Sequence, residues 1–227
     1  MDDTNYLNFN IKKIVLKEFN KEKRDFIMKN LKKYHNLVEL NCENCSLREL
    51  PELPETLIYL NCNYNILTKL PKLPNSLTHL YCSCNKLIKL SEYLPNSLIN
   101  LYCLANSLIE LPDLPKSLIN LNCALNKLIY LPILPNSLIN LNCSHNLLFE
   151  LPDLQKLLLL VQLDCSYNYL IHIQDLHNSI NLTKLKIENN KINIKNKILN
   201  RMTLLNKELL LQHSQNINLN YSIQCLI

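Results

Sequence analysis

Glycine and tryptophan are both absent from the 227-residue sequence, which also carries only four phenylalanines. Without glycine there is no G-x-G-x-x-G fingerprint and no P-loop, so phosphate cradles built on those turns are excluded. No apolar run approaches the roughly 18 residues that a membrane-spanning helix requires. The densest run, from Leu157 to Val161, is much shorter. The N-terminal stretch MDDTNYLNFNIKK is acidic at its start and has no apolar core, so no secretion signal is visible in it. What replaces the missing residues is asparagine, lysine, leucine, isoleucine and tyrosine, all with AT-rich codons. This reads as genome bias, of the kind found in protists and large DNA viruses, rather than as chemistry.

The ten cysteines could mean a disulfide framework. Their spacing argues otherwise. Cys42, Cys62, Cys82, Cys103, Cys123, Cys143 and Cys165 recur every 20 to 22 residues within one frame, L-x-x-L-x-C-x-x-N-x-L. The frame reads LIYLNCNYNIL at Leu57, LINLNCALNKL at Leu118 and LINLNCSHNLL at Leu138. Eight frames begin at Leu37, Leu57, Leu77, Leu98, Leu118, Leu138, Leu160 and Leu182; Cys45 fills the asparagine slot of the first, and Ile187 the cysteine slot of the last. A fixed period near 20 residues is the mark of one structural unit stacked on itself. Such an array buries enough core to need no disulfide staples, so a soluble protein working in a reducing cytoplasm is expected.

The alternation of leucine and cysteine has period two, which predicts a strand with Leu60 and Cys62 on one side and Asn61 and Asn63 on the other. Equivalent strands one repeat apart are parallel. The connectors LPELPET, LPKLPNS, LPDLPKS and LPILPNS, with the longer LSEYLPNS, carry prolines that remove donors and hold the backbone extended. After the sixth frame LPDLQKLLLLVQL loses the second proline and gains two residues, so a helical turn is expected there. Asn65, Asn85, Asn106, Asn126, Asn146, Asn168 and Asn190 fall where the chain must turn, and their carboxamides can both donate to and accept from turn backbone.

These features resemble the leucine-rich repeat family over roughly residues 37–195, in particular the short LPxLPxxLxxLxCxxNxL repeats of bacterial type III secreted effectors. The resemblance implies a right-handed curved solenoid with a concave parallel sheet, extended convex connectors and an asparagine ladder. The chain departs from it in using cysteine where valine or leucine is usual. It also lacks room for the ubiquitin-ligase domain that some relatives append. Three parts are therefore expected: an N-terminal cap over 1–36, repeats over 37–195 and a C-terminal cap over 196–227. For the first cap the alternation of Leu7, Phe9 and Ile11 predicts a strand, and the apolar residues from Leu16 to Leu31 an amphipathic helix over about 16–34. For the second, Ile198, Met202, Leu205 and Leu209 predict a helix, and the alternation from Ile217 to Cys225 a strand.

The outward strand positions are the candidate binding face. Tyr59, Asn61, Tyr64, His79, Tyr81, Asn100, Tyr102, Asn120, Asn122, Asn140 and Asn142 make it neutral, rich in amides and set with tyrosines. Tyrosine offers rigid contact area with a polar tip, and amides adapt their hydrogen bonding, which suits protein recognition. The same residues are also what AT-rich codons supply. Cys42-x-x-Cys45 and Cys82-x-Cys84 do not make a zinc site, because Cys42 is a core rung and Cys45 fills the asparagine slot, while Cys82 points inward and Cys84 lies on the rim near His79, and zinc needs four converging ligands. Catalysis has only Cys84 and His79 to draw on, with no third group to orient them. The expected function is a non-catalytic, monomeric module that binds a protein partner, needs no cofactor and binds no metal. The alternative is a substrate-binding adaptor for a ubiquitin ligase or similar enzyme supplied by another chain. Residues 1–35 carry a net charge of +4, residues 184–227 of +5, and the stretch between them of −4. An acidic middle opposes nucleic acid along the array, while the basic ends leave open contact with an anionic surface.

Overall fold

In the computed structural model, residues 7–173, 176 and 179–192 are described. Nine three-residue strands form one parallel sheet in strict sequence order, from β1 (Lys13–Val15) and β2 (Glu39–Asn41) to β9 (Lys184–Lys186). Between them run β3 (Tyr59–Asn61), β4 (His79–Tyr81), β5 (Asn100–Tyr102), β6 (Asn120–Asn122), β7 (Asn140–Asn142) and β8 (Gln162–Asp164). Each strand pairs with its equivalent one repeat later, so Leu60 faces Leu80 and Leu80 faces Leu101. The molecule is a solenoid in which every coil contributes one strand and one connector.

The core is a set of columns running along the array. Leu40, Leu60, Leu80 and Leu101 form one, and Cys42, Cys62, Cys82 and Cys103 the next, all with no exposed surface. Leucine fills the wide part of each coil, and the smaller thiol fits where the strand bends into the turn. The first proline-rich connectors stay extended, closed by a single turn such as Leu118 N–H to Pro115 O at 3.1 Å. Each ends on a serine or threonine whose hydroxyl reaches back one coil: Ser117 Oγ lies 2.7 Å from both Asn96 O and Leu98 O. Those contacts tie connectors whose prolines cannot donate.

After the sixth frame the lengthened path makes two successive turns, Leu157 N–H to Leu154 O at 3.0 Å and Leu160 N–H to Leu157 O at 3.2 Å. The extra residues are absorbed by turns and not by a helix. At the front, the strand lies at Lys13–Val15, later than the alternation of Leu7, Phe9 and Ile11 implies. IKKIVL is itself a partial repeat: Ile14 pairs with Leu40, and Leu16, fully buried, continues the cysteine column. The helix expected over 16–34 is divided. The Asn20 side chain accepts the Lys23 N–H at 3.0 Å and starts α1 (Lys21–Lys29), while 3-10 turns occupy Leu16–Glu18 and Leu31–Lys33. Arg24 Nε donates to Leu16 O and Phe19 O at 2.9 and 2.7 Å, tying α1 back to the preceding turn. The expected C-terminal helix and strand fall outside the described residues.

Candidate functional site

The outer face of the sheet presents two columns of side chains. The first runs Glu39, Tyr59, His79, Asn100, Asn120, Asn140, Gln162 and Lys184. The second runs Asn41, Asn61, Tyr81, Tyr102, Asn122, Asn142, Asp164 and Lys186. Tyr81 and Tyr102 stack with ring centroids 5.0 Å apart and planes 15° apart. Tyr59 tilts against Tyr81 at 5.3 Å and against His79 at 6.0 Å. The parallel register sets the stack, since neighbouring strands lie about 4.8 Å apart. Burial raises the phenol pKa of both Tyr59 and Tyr81. His79 Nδ1 lies 2.6 Å from the Thr78 hydroxyl, which fixes the ring beside Tyr59.

Beyond the tyrosines the face becomes a chain of amides. Asn120 Nδ2 donates to Asn100 Oδ1 at 2.5 Å, and Asn140 Nδ2 to Asn120 Oδ1 at 2.6 Å, so the dipoles align along the array. A polar concavity of ≈ 370 Å³ lies over Tyr102, Asn122, Asn142, Gln162, Asp164 and Lys186. Lysines stand at both ends of the face. Lys13 of β1, in register with Glu39 and paired to it at 2.7 Å, stands at one, and Lys184 and Lys186 at the other, with Lys186 3.4 Å from Asp164.

Two of the sequence-derived candidates sit differently from the rest. Asn61 faces outward but is only 7 % exposed, with Nδ2 on Glu43 Oε2 at 3.0 Å and Oδ1 accepting the Asn63 N–H. It stands in register beside Tyr81, with its carboxamide committed to Glu43 and to the turn. Tyr64 stands on the rim, 57 % exposed, in the turn that follows the strand. That turn position is left-handed in every coil: Tyr64, Cys84, Ala105, Leu125, His145, Tyr167 and Asn189 all have φ between 53° and 55°. Most proteins would place glycine there, and a side chain at such φ is disfavoured. With no glycine in the chain, the cost is offset by the asparagine that follows. Asn126 Nδ2 reaches Cys103 O, Cys123 O and Ala124 O at 3.0–3.1 Å, while its Oδ1 accepts the Leu108 N–H at 3.0 Å. Asn65, Asn85, Asn106, Asn146, Asn168 and Asn190 repeat the arrangement. The same rim brings His145 and Tyr167 into a stack at 4.1 Å, a contact the sequence reading missed although both occupy one slot of the frame.

None of the described cysteines is disulfide-bonded. Burial raises the pKa of every ladder thiol, for Cys62 and Cys123 to about 12. A thiol held protonated is a poor nucleophile. Cys84 and Cys45 are partly exposed. Alkylation of the native protein followed by mass spectrometry is expected to modify Cys84 and Cys45 first. Uniform, fast labelling of Cys103, Cys123 and Cys143 in folded protein would contradict the packing described above.

Comparison with solved structures gives the fold a family. The leucine-rich repeat domain of a Shigella effector superposes with a TM-score of 0.65 at 34% identity, covering 79% of this chain and 82% of that one. The chain belongs to the leucine-rich repeat family. YopM from Yersinia enterocolitica aligns at TM-score 0.67 and 38% identity over 70% of this chain and 34% of its own length. The functional domain of InlJ from Listeria monocytogenes, which includes a cysteine ladder, aligns at TM-score 0.64 and 29% identity over 78% of this chain and 39% of that one. This leucine-rich repeat chain therefore spans well under half of those two relatives. No family profile matches the sequence, and neither does any curated protein. Among the described residues no helix is long and apolar enough to cross a membrane.

Proposed function

We propose that this leucine-rich repeat chain is a non-catalytic recognition module of the cytoplasm whose concave face binds a protein partner. The observation that carries the reading is the Tyr81–Tyr102 stack, 5.0 Å between centroids, standing on the outer side of the sheet with Tyr59 against it. These rings contribute nothing to the leucine and cysteine columns, and they present rigid aromatic surface ringed by the Asn100–Asn120–Asn140 amides. An aromatic centre with a polar rim is the anatomy of a binding hot spot. The likeness to effector repeat domains supports the same reading.

Affinity capture from the native cell with mass spectrometry identifies the partner, and the double change Tyr81→Ala, Tyr102→Ala then tests the face. Truncating one true anchor costs at least ~2 kcal/mol, about thirtyfold in affinity, so the pair should abolish capture. Circular dichroism should be unchanged, because neither ring belongs to the core. Normal capture by this variant, with loss in a connector-side variant, would place the interface elsewhere.

A further inference from the structure

The connector between β4 and β5 is the irregular one of the proline-rich set. It reads LSEYLPNS where its neighbours read LPDLPKS and LPILPNS, with Ser91 in place of proline and one more residue. The chain bends at Glu92 and Tyr93 to absorb the addition. The bulge opens a cleft of ≈ 950 Å³ against the next two connectors. That volume is near the upper end of the range for ligand clefts, about 300–1,000 Å³.

Its walls carry side chains that solvation alone does not explain. Tyr93 is 78 % exposed and Ile133 89 %, two of the three most exposed large apolar residues among those described. In the other connectors the slot of Ile133 holds Glu52, Lys72, Asp113 or Asp153, so an isoleucine there is a departure from a charged rule. Between these apolar walls lie three carboxylates, Glu92, Glu110 and Asp113, against one lysine, Lys89. The Tyr130 hydroxyl donates to Glu110 Oε2 at 3.3 Å and holds that carboxylate at the cleft.

We propose that this cleft is a second recognition site, on the connector side of the solenoid, that takes an extended basic peptide segment of a partner protein. The cleft crosses three coils, roughly 10 Å at the spacing of neighbouring strands, which matches a few residues of extended chain. Arginine or lysine stems lie along Tyr93 and Tyr130, where cation–π attraction adds to burial, and their charged heads meet the carboxylates. Aliphatic residues of the same segment cover Ile133. The acidic lining repels nucleic acid and anionic membranes. The apolar walls favour a peptide over a bare polyamine. This site is independent of the tyrosine stack on the concave face.

The test is a fluorescence-anisotropy titration of the full chain with a short synthetic peptide of alternating arginine and leucine. Saturable binding is expected. The double change Glu92→Lys, Glu110→Lys should weaken it at least about tenfold, as should Tyr93→Ala with Ile133→Ala. Tyr81→Ala with Tyr102→Ala should leave it unchanged, which separates this site from the concave one. Circular dichroism of each variant confirms that the fold is kept. Absence of saturable binding, indifference to the charge reversals, equal competition by spermine, or loss confined to the concave variant would each overturn the proposal.

Discussion

Raising the pH from about 8 to about 11 is expected to unfold the array over a narrow interval, with the cysteine ladder as the cause. The ordinary pKa of these thiols is 9.0, and burial lifts that of Cys62 and Cys123 to about 12. The other five ladder thiols shift the same way, with loss of hydration the largest cause in each. Above 9 the unfolded chain gives up thiol protons that the folded chain keeps, so the unfolding free energy falls as pH rises. Up to the folded pKa each thiol contributes about 1.4 kcal/mol of loss per pH unit. For Cys62 and Cys123 that loss runs from about pH 9 to about 12, and the other five act in the same direction, so the ladder as a whole erodes a stability that is only about 5–15 kcal/mol for a typical domain. Below 9 the ladder is neutral in both states and adds no pH dependence. The measurement is an alkaline titration followed by far-ultraviolet circular dichroism under reducing conditions. The triple change Cys103→Val, Cys123→Val, Cys143→Val, which keeps the column apolar, should move the midpoint upward. An unchanged midpoint would show that other groups govern alkaline unfolding.

The architecture was legible because the sequence repeats its own physics in each coil. Leu60 and Cys62 differ from Asn61 and Asn63 by side of the strand, and one frame read correctly yields the register of Leu60 with Leu80 and of Tyr81 with Tyr102. Stacking of those two rings follows from the register alone. What escaped was whatever lacks a period. The partial repeat IKKIVL has isoleucine and leucine where later frames have leucine and cysteine, so the frame does not mark its strand at Lys13–Val15 and the alternation of Leu7, Phe9 and Ile11 points earlier in the chain. The amphipathic stripe from Leu16 to Leu31 was real, but the Asn20 side chain breaks it by capping α1. Alternation predicts the direction of Asn61 and not its cover; the flanking strands and Glu43 enclose it. The Ser76, Ser97, Ser117 and Ser137 hydroxyl contacts stood in the connectors in plain sight. Their meaning needed the coil behind each serine. The cleft at Tyr93 required the third dimension too, since a single added residue says nothing about where its neighbours stand.

The asparagine ladder should prove the most fragile polar element of the fold. Asn126 is buried, and its carboxamide serves Cys103 O, Cys123 O, Ala124 O and the Leu108 N–H at once. Asn126→Ala removes all four contacts and leaves the Leu108 N–H unpaired in the interior, while Cys103 O, Cys123 O and Ala124 O each lose one of two donors and keep Asn106 Nδ2, Asn146 Nδ2 and the Ala105 N–H. The orphaned donor costs roughly 1–3 kcal/mol, less whatever water enters the vacated space, and the three weakened carbonyls add to that. The turn it braces carries Leu125 at φ 53°, a strained conformation whose cost the lost contacts no longer offset. A loss of about 2–4 kcal/mol is expected, or roughly 5–15 °C in Tm for a chain of this size. Asn126→Asp should be as damaging, because a carboxylate cannot donate to Cys103 O and Cys123 O and would carry charge into the core. Asn122→Ala is the control. Its Oδ1 only accepts the Ala124 N–H at 3.2 Å on the half-exposed face, and its loss should cost no more than about 1 kcal/mol. Because each coil touches only its neighbours, the damage should begin locally. Hydrogen exchange should accelerate first at Leu108, Cys123 and Leu125, with the coils around Cys62 protected longer. Thermal melts in which Asn126→Ala and Asn122→Ala behave alike would show that the ladder is ornamental to stability and that the leucine columns alone hold the solenoid.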